Sequence, residues 1–273
     1  MDNAEAPLTG RRVLVVGASA GIGRAAAQRL AARGADVVFS GRRQDRLDEA
    51  VQTAGRGHAV VVDVSDPAQC TRLVATAAEH LGAIDLLVFA AGISRIVRLR
   101  DADAEEWQRL LATNLIGPAL VITAAIPHLA PDAVVAVLSS ESVGMPFPGL
   151  VPYSASKAAL EELIQGLRVE HPEVRFCRVT VGSTEGTEFA RDFDPEVAGE
   201  LFPEWLALGR LPAQLMKADE LGATVADALA VALAAPGVDC HDITLRAPGR
   251  VSTSDDVDGM LENIDRAALE GTL

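Results

Sequence analysis

Three cysteines, Cys70, Cys177 and Cys240, are all that this 273-residue chain carries. They are odd in number, far apart and without metal-ligand spacing, which argues against a disulfide framework or a zinc site and fits buried or inert thiols in a reducing cytoplasm. Basic residues are also in deficit, 24 against 38 acidic ones, giving a formal charge of −14 and a pI near 4.8. A surface of that sign repels nucleic acid and anionic membranes, so neither is expected as a partner. No apolar run approaches the ~18 residues of a membrane span, and the start, MDNAEAPLTG, lacks a basic segment followed by an apolar core. The expected location is the cytoplasm. Aromatic side chains are scarce, 4% of the chain, yet Phe189, Phe193, Phe202 and Trp205 all fall between Thr187 and Lys217.

What is present is an apolar half, 49% of residues, enough for one substantial core. Strand-like runs at 12–16, 36–40, 58–62, 85–89, 134–138, 174–179 and 242–246 alternate with helical stretches near 21–33, 43–54, 66–80, 104–126, 153–170 and 218–234. That alternation predicts an α/β fold: a doubly wound sheet of seven parallel strands in the order 3-2-1-4-5-6-7, with helices on both faces. A single domain is expected over 11–250, between a short tail at 1–10 and an acidic tail at 251–273. In the latter, Met260, Leu261, Ile264, Ala267 and Ala268 have the spacing of one short amphipathic helix.

Chemistry-bearing residues sit at strand ends and helix starts. The turn Gly17-Ala-Ser19-Ala20-Gly21-Ile22-Gly23 follows the strand Arg12–Val16 and opens a helix of good helix formers stopped by Gly34. Backbone N–H groups at such a helix start bind a pyrophosphate, and the glycines permit close approach. The second strand ends Ser40-Gly41-Arg42-Arg43. An acid there would accept a ribose 2′-hydroxyl, whereas Arg42 and Arg43 suit a 2′-phosphate, so NADP(H) is favoured, with NAD(H) possible. Tyr153 and Lys157 are four apart at a helix start and share one face. A cation about 4 Å from the phenol, at an effective dielectric of about 20, is worth on the order of 4 kcal/mol, or about three pKa units, which would bring Tyr153 from near 10 into working range. Ser140 follows the buried run Val134–Leu138 and is placed to hydrogen-bond a substrate carbonyl oxygen.

Together these motifs resemble the classical short-chain dehydrogenase/reductase family from about Arg11 to Pro248. The resemblance implies a Rossmann fold, a nicotinamide cofactor and carbonyl/alcohol interconversion. It assigns catalysis to Asn114, Ser140, Tyr153 and Lys157, with Asn114 holding a proton-relaying water in a locally distorted helix. It assigns cofactor contacts to the glycine turn, to Asp63 and Val64 at the adenine, to Ala90, Ala91 and Gly92 after the fourth strand, to Thr187, and to Tyr153 and Lys157 at the ribose. A homodimer or homotetramer through the helices bearing Asn114 and Tyr153 is also implied. Two departures stand out: Phe89 replaces the family's asparagine, and the loop before Thr187 reads Gly182-Ser183 where Pro-Gly is usual. The expected consequence is a looser nicotinamide loop.

The apolar segment from Thr187 to Lys217 is expected to close over the substrate as a mobile lid, which implies a substrate with a large apolar part. The functional expectation is an NADP(H)-dependent enzyme acting on a small-molecule ketone, aldehyde or alcohol. A cofactor-binding scaffold without turnover, and a dehydratase or epimerase, stay open on sequence alone.

Overall fold

The computed structural model describes residues 8–249; the expected tail helix lies outside them. In chain order the elements are β1 (Arg12–Val16), α1 (Gly21–Ala32), β2 (Asp36–Gly41), α2 (Gln44–Ala54), β3 (His58–Val61), α3 (Pro67–Leu81) and β4 (Ile84–Phe89). Then come α4 (Ala104–Leu111), a π-helical stretch Ala112–Ile116, α5 (Gly117–Ala125), β5 (Leu129–Ser140), α6 (Val151–Glu170) and β6 (Arg175–Val181). The chain closes through β7 (Thr184–Glu185), α7 (Pro195–Ala207), β8 (Met216–Lys217), α8 (Ala218–Ala234) and β9 (Asp242–Leu245). Seven strands form one parallel sheet in the order β3-β2-β1-β4-β5-β6-β9, as the alternation predicts; β7 and β8 make a separate two-stranded pair.

Side-chain alternation along the central strands builds two cores. Val13 and Val15 of β1 and Leu86 and Val88 of β4 face the layer of α1, α2 and α8. Leu14, Val16, Leu87 and Phe89 face the layer of α3, α5 and α6. Both faces of these strands are buried, which is why they read as unbroken apolar runs rather than alternating ones. Helix starts are fixed locally: Asp66 accepts from Ala68 N, Asp103 from Glu106 N, and Asp194 from Glu196 N and Val197 N. Cys70 and Cys177 are buried and Cys240 is half-buried; burial raises the first two thiols above their ordinary range.

One sequence expectation needs correcting. The helical stretch Ala104–His128 is long and apolar enough, by length and composition, to cross a membrane. Its packing explains the composition: α5 lies on α3, and the π-helical stretch lies on α6. Fully buried Val121, Ile122 and Ala125 belong to the sheet-facing core.

Because the large sheet is parallel, Val16, Gly41, Phe89, Ser140 and Val181 all end their strands at one edge. The loops that follow line the main cleft.

Candidate active site

The cleft at that edge is lined by the glycine turn, including Gly17, Ser19, Ala20, Gly21, Ile22 and Gly23, and by Arg42, Asp63, Val64, Ala90, Ala91, Gly92, Ser140, Tyr153, Lys157 and Thr187. The topology thus brings together residues that the sequence spreads over 171 positions, from 17 to 187. Asn114 stands behind the lining, and Arg43 bridges two residues of it, Ser19 and Glu188. Gly17 has φ +96°, and a Cβ there would meet Ala91 N at 2.5 Å. A Cβ on Gly23 would meet Gly17 O at 2.3 Å and Ala90 Cβ at 2.9 Å. Only glycine lets the turn nest against the end of β4, and that leaves the first N–H groups of α1 at the cleft, a fit for pyrophosphate.

At the β2 end, a Cβ on Gly41 would stand 3.2 Å from Ser19 Cβ and Oγ. An acidic side chain in that place would crowd the turn. Arg43 Nη2 donates to Ser19 Oγ at 3.3 Å, and its guanidinium pairs with Glu188, so this arginine spans the cleft mouth. Asp63 is half engaged: its Oδ1 accepts from Ser65 N at 3.0 Å and Ser65 Oγ at 2.7 Å.

Tyr153 is almost wholly enclosed and shares the cleft wall with Ser140. Burial pushes its phenol up to about 12, while the Ser140 hydroxyl pulls the other way. In this arrangement the net direction is therefore opposite to the lowering expected from Lys157, because burial dominates. Lys157 is itself buried, donates from Nζ to Leu138 O at 2.9 Å, and is driven down to about 8 by desolvation, with Glu161 opposing. An isolated cation in a screened medium would lower the phenol, whereas the enclosed site penalises both ionised forms.

Asn114 is fully buried. Its Oδ1 accepts from Ile93 N at 2.9 Å, and its Nδ2 donates to Ile93 O at 2.9 Å and Ser156 Oγ at 3.0 Å. The expected helix distortion is present as the π-helical stretch. Pro118 has no N–H, so the Asn114 carbonyl four residues earlier loses its usual helical donor. The side chain itself ties the loop after β4 to α6, a structural duty that the sequence did not reveal.

Comparison with known proteins gives the same picture. Residues 11–198 match the short chain dehydrogenase family model. The chain belongs to that family. Human dehydrogenase/reductase SDR family member 4 is 38% identical over 171 residues, 60% of this chain and 62% of that protein. An 11-beta-hydroxysteroid dehydrogenase-like protein from Arabidopsis thaliana is 33% identical over 176 residues, 62% of this chain and 57% of its own. The match thus spans less than two thirds of either relative. A short chain dehydrogenase from Burkholderia cenocepacia, solved in complex with NADP, superposes with a TM-score of 0.75 at 30% identity, covering 88% of this chain and 97% of that one.

Against this short-chain dehydrogenase background, both departures have physical reasons. Phe89 points into the core beneath α3 and α5, where it is 1% exposed, so it fills volume instead of hydrogen-bonding the neighbouring backbone. Gly182 makes room for Glu141, a residue the sequence reading missed: a Cβ at 182 would lie 2.9 Å from Glu141 Oε2. Its signal was an acid directly after the catalytic-type serine, paired with an unusual Gly-Ser.

The segment expected to act as a lid is packed in this structure. Within it, α7 buries Ala198, Leu201, Phe202 and Trp205 in a third apolar cluster that includes Tyr153, Phe147 and Leu150. Trp205 Nε1 donates to Pro148 O at 2.8 Å, and Phe189 meets Tyr153 edge to face at 5.4 Å. This part of the segment is a packed wall of the cleft.

Proposed function

We propose that this chain is an NADP(H)-dependent oxidoreductase interconverting a carbonyl and an alcohol on a small, largely apolar substrate. The observation that carries the reading is that Ser140, Tyr153 and Lys157 line the same cleft as a glycine turn that fits a dinucleotide. The nicotinamide, when bound, supplies or accepts the hydride. Tyr153 gives or takes the proton at the substrate oxygen, and Ser140 donates a hydrogen bond that orients that oxygen. Lys157, an ammonium below about pH 8, holds the ribose and the floor of the site. Asn114 positions the Ile93 loop and leaves its carbonyl toward a proton path.

Preference for the 2′-phosphate is supported by the crowding at Gly41, by Arg42 and Arg43, and by the NADP complex of the Burkholderia relative. An apolar substrate is supported by Phe147, Leu150, Phe189, Trp205 and Leu211 along the cleft, and by a relative named for a hydroxysteroid. The deciding experiment is NADPH oxidation across a panel of ketones and aldehydes from short-chain to polycyclic, repeated with NADH. Turnover with the larger apolar carbonyls and NADPH is expected. Cofactor binding without turnover on any member would replace this reading with a binding role.

A further inference from the structure

Glu141 follows Ser140 directly, and its side chain is 10% exposed. A carboxylate so enclosed needs partners, and those it has converge on the loop after β6. Oε1 accepts from Ser183 N at 2.9 Å and from Ser183 Oγ at 3.2 Å. Oε2 lies 3.5 Å from Arg246 Nε beyond β9. The backbone follows the same pattern: Glu141 N donates to Val181 O at 3.0 Å, and Gly182 N to Leu245 O at 3.0 Å. One side chain thus joins the carboxyl ends of three neighbouring strands, β5, β6 and β9.

The clamp and the loop sequence depend on each other. A Cβ at 182 would stand 2.9 Å from Oε2, 3.0 Å from Oε1 and 3.1 Å from Cδ, so any side chain there would displace the carboxylate. Proline at 182 is therefore incompatible with Glu141 in this position. The Ser183 N–H is also the donor that the carboxylate receives. Ser183, Thr184 and Thr187 of this loop lie on the cleft wall.

We propose that Glu141 is a positioning residue that holds the nicotinamide end of the cofactor site through Ser183, fixing by charge-assisted hydrogen bonds a loop that Pro-Gly would fix by ring stiffness. This rests on the cofactor reading above. A ring restricts φ, whereas the carboxylate restrains the loop from outside, so the loop can be stiff with glycine at 182.

The test uses the whole 273-residue chain with Glu141→Ala and Glu141→Gln. Two ligands separate the ends of the site: NADPH, and adenosine 2′,5′-bisphosphate, which lacks nicotinamide. Losing a charge-assisted contact costs roughly ten- to hundred-fold in affinity. Glu141→Ala is expected to weaken NADPH about ten-fold, lower kcat, and leave the bisphosphate within two-fold. Glu141→Gln, whose amide oxygen still accepts from Ser183 N, should fall near wild type. Hydrogen exchange across 182–187 should quicken in Glu141→Ala without any ligand. Equal losses for both ligands, or unchanged exchange in the loop, would overturn the proposal. If wild type binds neither ligand, the cofactor reading fails, while the exchange measurement still decides whether the clamp exists.

Discussion

At pH 10, where an ordinary phenol is half ionised, the burial that pushes Tyr153 up to about 12 keeps it protonated. The chain has one tyrosine, so phenolate absorbance reports this group alone and should show almost no ionisation at that pH. Carbonyl reduction needs the phenol and alcohol oxidation needs the phenolate, so oxidation should gain rate as pH rises while reduction does not. Tyr153→Phe should lower turnover at least 100-fold and leave cofactor affinity within a few fold, since the ring's packing survives; retention of a tenth of the rate would remove Tyr153 from the proton step. Lys157 carries the opposite sign. Its pKa falls from 10.5 to about 8 on folding, so between those pH values the unfolded chain holds a proton that the folded chain has released. Stability linked to Lys157 therefore rises with pH across that window. Lys157→Met removes the titration, and urea denaturation should show the difference from wild type shifting in favour of wild type by up to about 3 kcal/mol between pH 7 and 10.5.

The stretch from α4 through the π-helical turn to α5 owes its shape to two residues. Pro118 withholds a helical donor, and Asn114 replaces local bonding with contacts to Ile93 and Ser156, 21 and 42 residues away. Asn114→Ala should cost about 2–4 kcal/mol by denaturation, because it strands the Ile93 backbone and leaves Ser156 a partner short; a loss under about 0.5 kcal/mol would mean that water satisfies them. Helix α7 makes a different statement. With Leu201 fully buried and Trp205 bonded to Pro148, its amides should be protected from exchange before any ligand is added. Fast exchange across 195–207 would support the mobile-lid expectation instead. Most other elements were legible from periodicity to within a residue or two. Helix α7 and the short strands β7 and β8 were not read from the sequence, and β5 begins at Leu129 rather than 134: Pro131, and Asp132 at φ 61°, hide a strand that pairs with Ile84 ahead of a register shift.

Across the whole molecule, ligand binding and stability are linked. A cofactor present at about a hundred times its Kd stabilises the fold by about 2.7 kcal/mol. At equal concentrations NADPH should raise the thermal midpoint more than NADH does, and Arg42→Asp should narrow or invert that order. An unchanged ratio would move the phosphate assignment from Arg42 to Arg43, whose link to Ser19 and Glu188 already crosses the cleft mouth.

Residue order alone determined the seven strands of the large sheet and their order, the glycine turn and the Ser140, Tyr153 and Lys157 set. Each depends on spacing along the chain, which a strand's period of two and a helix's period of 3.6 convert directly into faces and ends. Only the tertiary structure decided the direction of the Tyr153 shift, the partners of Asn114, the packing of α7 and the meeting of Glu141 with Ser183, 42 residues apart. Those features depend on which groups exclude water from one another. Desolvation and shape are properties of the assembled layers, because no local stretch of sequence contains both sides of the contact.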